Sequence, residues 1–178
     1  ASASMTTLDA QGSVVAGPTD LTADPIVAGA AAGALVWDSF VDTPGVTSTT
    51  TVSFTTSGAV LQGGSISIQL PEEGGWVMAG SSPIGFTGAL ASTTGTGSWT
   101  SSTRTLVVVT GGADISEGTA VAFTVGGVRT PPSVRAESTA ATLTTKDVGG
   151  AVTDGPTTVT TNAVTAGVLT GAKTWDTS

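Results

Sequence analysis

Apolar and polar side chains alternate along much of this chain with a period of two residues, which is typical of strands that bury one face. Ile66, Ile68 and Leu70 are separated by polar residues, and Val121 and Phe123 follow the same pattern farther along. The pattern predicts strands at residues 35–39, 47–56, 66–70, 106–109, 121–125, 141–145 and 159–161.

Turns rich in glycine and proline separate these strands, for example at residues 43–45, 63–64, 111–112 and 126–127. Strong helix formers are scarce, whereas Thr, Val and Gly dominate. Short strands with a turn about every 8–12 residues are typical of sandwich folds. The sequence therefore predicts an all-β chain and, within that class, an antiparallel immunoglobulin-like β-sandwich.

The pattern of one stretch occurs twice, at a constant offset of 138 residues. Ala28, Gly29, Gly33, Ala34, Trp37 and Asp38 return as Ala166, Gly167, Gly171, Ala172, Trp175 and Asp176. The match continues without a gap back to Ala3, which corresponds to Ala141. A long match without gaps indicates an internal repeat. The sequence therefore predicts a tandem array of domains with a period of about 138 residues.

The repeat sets where one domain is expected to end and the next to begin. Gly17-Pro18 and Gly155-Pro156 are predicted boundaries, because each follows a strand and a turn and precedes a polar stretch. Residues 1–18 are then the last strands of a preceding repeat, 19–156 a complete sandwich, and 157–178 the first strand of the following repeat. A stiff, packed joint between repeats is predicted around Gly29, Gly33, Trp37, Gly167, Gly171 and Trp175.

A weaker similarity links residues 57–64 and 111–118, each of which has an apolar residue between two glycine turns before an alternating strand. We interpret both stretches as corners with an apolar plug. Chance likeness between glycine-rich loops is the alternative. Trp37 is likewise interpreted as a core plug rather than as a platform for a sugar ring.

The charge of the chain excludes several classes of partner. It carries 13 Asp and Glu against 5 Lys and Arg, for a net charge of −8. Nucleic acid requires a basic surface, and the longest apolar runs are far shorter than the roughly 20 residues of a membrane helix. Neither nucleic-acid binding nor membrane insertion is expected.

Catalysis and cofactors are not predicted either. The chain has no His and no Cys, which removes the usual nucleophilic triads and transition-metal ligands. The carboxylate pairs Glu72-Glu73 and Asp114/Glu117 lie in glycine-rich turns and are read as solvated. Asp20, Asp24, Asp38 and Asp42 are the candidate calcium ligands near the joint, but Asp20 and Asp24 become Thr158 and Asn162 in the second copy. No metal ligand is therefore predicted.

The low charge predicts modification of the surface. Charged residues are 10% of the chain, against about 25% in typical soluble domains. Sugars on the abundant Ser and Thr would solvate such a surface, although a plain hydroxyl-rich surface is the alternative. The O-glycosylation candidates are Thr43, Ser82, Thr130, Ser133, Thr157 and Thr158, and the candidates for modified proline are Pro131 and Pro132.

These motifs resemble a known class of repeat. The frame from Ala166 to Trp175, the Thr-rich run at 47–56, Gly63-Gly64 with its following strand, and residues 118–131 are similar to tandem modules of large secreted surface and filament proteins of microalgae and other microbes. They resemble immunoglobulin-like repeats of bacterial adhesins more loosely. The resemblance implies an extracellular, glycosylated structural fibre whose partners are neighbouring repeats, covalent glycans and other copies of the fibre. A stalk repeat of an adhesin and a carbohydrate-binding module are the alternatives.

Overall fold

The computed structural model describes residues 2–22 and 24–171, which form eleven strands and two single-turn 3-10 helices. The all-β prediction is confirmed. The strands are β1 Ser2–Leu8, β2 Val14–Thr22, β3 Ala32–Ser39, β4 Thr47–Thr55, β5 Ser65–Gln69, β6 Ser81–Phe86, β7 Thr94–Thr100, β8 Thr105–Gly111, β9 Ala120–Arg129, β10 Ser138–Lys146 and β11 Val152–Thr161. The 3-10 helices are Glu72–Gly74 and Gly88–Leu90.

Nine of these strands form one closed barrel in the order β10-β11-β3-β4-β9-β6-β7-β8-β5, with β5 pairing back to β10. All neighbours are antiparallel except β11 and β3, which run parallel. Closure distinguishes this arrangement from the predicted immunoglobulin-like sandwich, in which two sheets keep separate edges. The inward residues of the alternating strands fill the interior, and Trp37 and Trp76 meet edge to face with ring centroids 5.9 Å apart.

Because β3 and β11 are parallel, the chain enters and leaves the barrel at opposite ends. We call the end near Gly29 and the turns 57–64 and 147–151 the leading end. The opposite end, near the loops 40–46 and 130–137 and the segment 162–165, is the trailing end. The eight residues of β3 separate the two ends by about 25 Å.

The two similar turns meet as plugs of the leading end. Val60 and Ile115 are fully buried, and each backbone amide donates to the other's carbonyl oxygen, at 2.8 and 2.9 Å. The predicted apolar plugs are thus present, but they cap one barrel instead of joining two sheets.

The hairpin β1–β2 lies outside the barrel and has the same pairing register as β10–β11. Ala3 pairs with Leu21 as Ala141 pairs with Val159, and the later pairs and bulges match at the same offset. Both hairpins contain a cis Gly-Pro peptide bond. The difference is environment: β10–β11 is built into the barrel, whereas every described side chain of β2 is exposed.

The predicted boundaries need correction. Gly17-Pro18 lies inside β2, and Gly155-Pro156 lies inside β11. The proline step interrupts the pairing only as a register shift between Leu143 and Thr145, and the strand then continues to the buried Val159. Residues 157–161 therefore belong to this barrel and not to a following one.

Candidate functional site

The segment that leads into β3 is held on the barrel by backbone contacts with β11. The amide of Gly29 donates to Thr153 O, and the amide of Gly155 donates to Gly29 O, both at 2.8 Å. The amide of Ala31 donates to Thr157 Oγ1 at 3.2 Å. Residues 29–31 therefore extend the sheet at the leading end before β3 begins.

A buried carboxylate organises this leading end. Asp154 is fully buried and accepts hydrogen bonds from Ser57 Oγ at 2.6 Å and from the amides of Ser57 and Gly58 at 3.3 and 2.9 Å. Thr145 Oγ1 also donates to it, at 3.1 Å. These donors compensate the loss of hydration, so the turn after β4 is tied to β11 by one side chain.

Gly29 packs tightly against this carboxylate. A methyl group added to it would overlap Ser57 Oγ and lie 2.8 Å from Asp154 Oδ1. A larger residue would displace the Ser57 hydroxyl from Asp154. The corresponding position of the first hairpin is Ala16, so that hairpin has no counterpart of this carboxylate.

The segment that leaves β11 is held at the trailing end. The amide of Asn162 donates to Trp37 O at 3.1 Å, and its side chain accepts from Ser39 N at 3.2 Å and donates to Asp42. Val164 exchanges two backbone hydrogen bonds of 2.9 Å with Arg135, and its side chain is buried.

The next residues follow the surface of the trailing end. The amide of Thr165 donates to Asp42 O at 2.8 Å. A methyl group on Gly167 would lie 2.9 Å from Thr43 Cγ2. The chain after β11 is therefore in contact with its own barrel as far as Gly167.

Exposed apolar side chains outside the first hairpin gather at the two ends. Those at the leading end are Ile26, Val27, Leu61, Val148 and Val152, and those at the trailing end are Phe40, Val77, Val134, Val168 and Leu169. Val109 lies on the barrel wall. In the described part of the chain, the two ends therefore expose more large apolar side chains than the barrel wall between them.

The predicted joint residues have distinct environments. Gly29 and Gly167 lie at the leading and trailing ends, as described above. Gly33 and Gly171 both have positive φ, at 75° and 93°, a conformation that favours glycine. Trp37 is fully buried in the core, so its side chain anchors β3 from inside the barrel. Trp175 lies outside the described residues.

The glycosylation candidates divide by accessibility. Ser133 and Thr158 are exposed, and Thr43 and Thr157 are half-buried. Ser82 and Thr130 are buried, and Thr130 Oγ1 donates to Thr43 O at 2.6 Å. These two predictions are wrong for the folded barrel, because a buried hydroxyl has no room for a sugar. Pro131 is buried, whereas Pro132 is exposed.

The carboxylate pairs predicted to be solvated are exposed. Glu72 and Glu73 are exposed on a 3-10 turn, and Glu72 lies 3.9 Å from Arg104. Among residues 2–22 and 24–171, no three His, Cys, Asp or Glu side chains are close enough together to hold a metal ion. No helix in the same ranges has the length and apolar character needed to cross a membrane.

Comparison with protein-family models, with curated proteins and with solved structures gives no match for this chain. Sequence reasoning missed Asp154, Ser57, Asn162 and Val164. Of these, Val164 had a readable signal, because it aligns with another large apolar residue, Ile26, at the 138-residue offset.

Proposed function

We propose that the chain is a structural repeat module of an extracellular, O-glycosylated filament or cell-surface fibre. In this proposal a barrel with the period of 138 residues is one unit, and successive units follow one another along a single covalent chain. The module acts mechanically, as a spacer of fixed length. It binds no cofactor and carries no catalytic residues.

One observation carries the proposal: three apolar residues on one face of the hairpin β1–β2, here called the free hairpin, correspond to buried residues of the barrel. Ala3, Met5 and Leu21 of the free hairpin correspond to Ala141, Leu143 and Val159, all fully or almost fully buried. A hairpin with no core to cover has no need of this pattern. The match supports a hairpin that completes the barrel of a preceding repeat.

The packing of the aromatic residues favours a structural module over a carbohydrate-binding one. Sugar-binding surfaces use exposed aromatic faces, whereas Trp37, Trp76 and Trp99 are buried. The exposed ring in the described part of the chain is that of Phe40, which lies at the trailing end among other apolar groups.

The experiment is the intact mass of the native polypeptide before and after removal of O-linked sugars. The proposal expects a deglycosylated mass that exceeds the 17.2 kDa of this sequence by whole 138-residue units, and a loss of mass on sugar removal. A native mass of 17.2 kDa without sugar would overturn both the array and the glycan coat.

A further inference from the structure

We infer that successive barrels share one eight-residue connecting segment, 24–31 in this chain, which is clamped by the preceding barrel through its first half and by the following barrel through its second half. The inference rests on the proposed tandem repeat. The partner surface is a second copy of the same barrel, whose trailing end seats against the leading end described above.

Each copy of the segment shows the contacts of one half: the copy after β11 shows those of the first half, and the copy before β3 shows those of the second half. Residues 162–165 correspond to 24–27 and are held at the trailing end through Asn162, Val164 and Thr165. Residues 29–31 are held at the leading end by β11, through the amides of Gly29 and Ala31. Only the position of Ala28 and Ala166 lies between the clamps, and neither forms a backbone hydrogen bond within the described residues.

The exposures reverse between the copies in the way that a shared segment requires. Val164 is 2% exposed, whereas its counterpart Ile26 is fully exposed. Ala31 is 5% exposed, whereas its counterpart Leu169 is 79% exposed. Each residue is buried only where the barrel that clamps its half of the segment is present.

The glycine of the segment is crowded from both sides. A Cβ atom on Gly29 would meet Ser57 and Asp154, which represent the following barrel. A Cβ atom on Gly167 would meet Thr43, which represents the preceding barrel. In the array, both barrels therefore come close to the space that a Cβ atom on this glycine would occupy. A glycine at this position therefore lets Thr43 of one barrel and Ser57 of the next come into contact.

An open groove lies at the leading end, where this partner would seat. It has a volume of about 470 Å³ and is lined by Ile26, Val27, Ser57, Val152 and Thr153, among others. In the array, Ile26 turns into the preceding barrel, as Val164 does here. The trailing end of that barrel, with Phe40 and Val134 exposed, then covers the groove.

The test uses the full chain extended after Ser178 by residues 41–171, because Ser178 stands at the position of Phe40 in the repeat. We call the product the two-barrel protein. The amides of Gly167 and Leu169 are expected to exchange with solvent at least about 10-fold more slowly in it than in the 178-residue chain. Thr43→Cys in the first barrel is expected to form a disulfide with Ser57→Cys in the second, since the chain has no other cysteine.

The matched control pairs Thr43→Cys with Thr103→Cys of the second barrel, an exposed residue at the far end, and should give no intramolecular disulfide. The single-cysteine variants report whether each substitution leaves the barrels folded. If both barrels unfold cooperatively but neither slowed exchange nor the disulfide is found, the shared joint is wrong and the repeat stands. If the added residues form no second barrel, the tandem repeat itself is wrong, and the joint with it.

Discussion

Ile26 and Val164 occupy equivalent positions 138 residues apart, yet the side chain of Ile26 is fully exposed while that of Val164 is buried beside Arg135. The backbones that precede them have the same strand pairing. Their local sequence therefore does not explain the difference. The presence or absence of a barrel end does, which makes this pair the simplest indicator of how the chain is organised.

Truncating these two residues should have unequal effects. Val164→Ala is expected to lower the free energy of unfolding of the barrel by about 2 kcal/mol, because it removes buried methyl groups and leaves a cavity. Ile26→Ala should change it by less than about 0.5 kcal/mol in the 178-residue chain. Equal effects in chemical denaturation would contradict the assignment of Val164 to the trailing end.

Hydrogen exchange should separate the two hairpins despite their matching registers. An isolated two-stranded hairpin is marginally stable in water, whereas β10 and β11 each have a second partner strand in the barrel. The amides of β1–β2 are expected to exchange about 100-fold faster or more than those of β10–β11. Comparable protection in the monomeric chain would mean that the first hairpin is already packed.

Removing the buried carboxylate should loosen the leading end. Asp154→Ala leaves the amide of Gly58 and the hydroxyl of Ser57 without their acceptor, at an expected cost of about 2–4 kcal/mol in unfolding free energy. Asp9→Ala is the control, because Asp9 caps an exposed turn of the free hairpin. If Asp154→Ala lowers the free energy of unfolding no more than Asp9→Ala does, Asp154 does not stabilise the leading end.

A methyl group at Gly29 should be harmful where one at Gly80 is not. Gly29→Ala would displace the Ser57 hydroxyl from Asp154 and is expected to cost about 1–3 kcal/mol. Gly80 has open space around the same position, so Gly80→Ala should lie within about 0.5 kcal/mol of the parent. Thermal unfolding of both variants gives the comparison, and a neutral Gly29→Ala would argue against the close approach.

The strands with large alternating side chains were predictable, but two others were not. In β7 the inward positions are Gly95, Gly97 and Trp99, and a methyl group on Gly97 would lie 2.8 Å from Ile84. Glycine here makes room for a neighbour instead of marking a turn. The sequence pattern could not distinguish these roles, and β6 and β7 were therefore missed.

The closure of the barrel and the contacts at its two ends also could not be predicted from the local pattern of apolar and polar residues. The barrel closes through β5 and β10, which are far apart in sequence, and no periodicity reports their pairing. The Gly-Pro steps indicated boundaries because such dipeptides usually end strands, yet β11 accommodates its own as a bulge. The 138-residue match is a property of the whole chain, and the joint that it indicates stays a prediction.

The shared connecting segment that we propose would make successive barrels a rod with a fixed joint. Small-angle X-ray scattering of the two-barrel protein tests it most directly. A fixed joint predicts a distance distribution fitted by one rigid shape about twice as long as a single barrel. A distribution that requires a wide range of bent shapes, with both barrels folded, would contradict it.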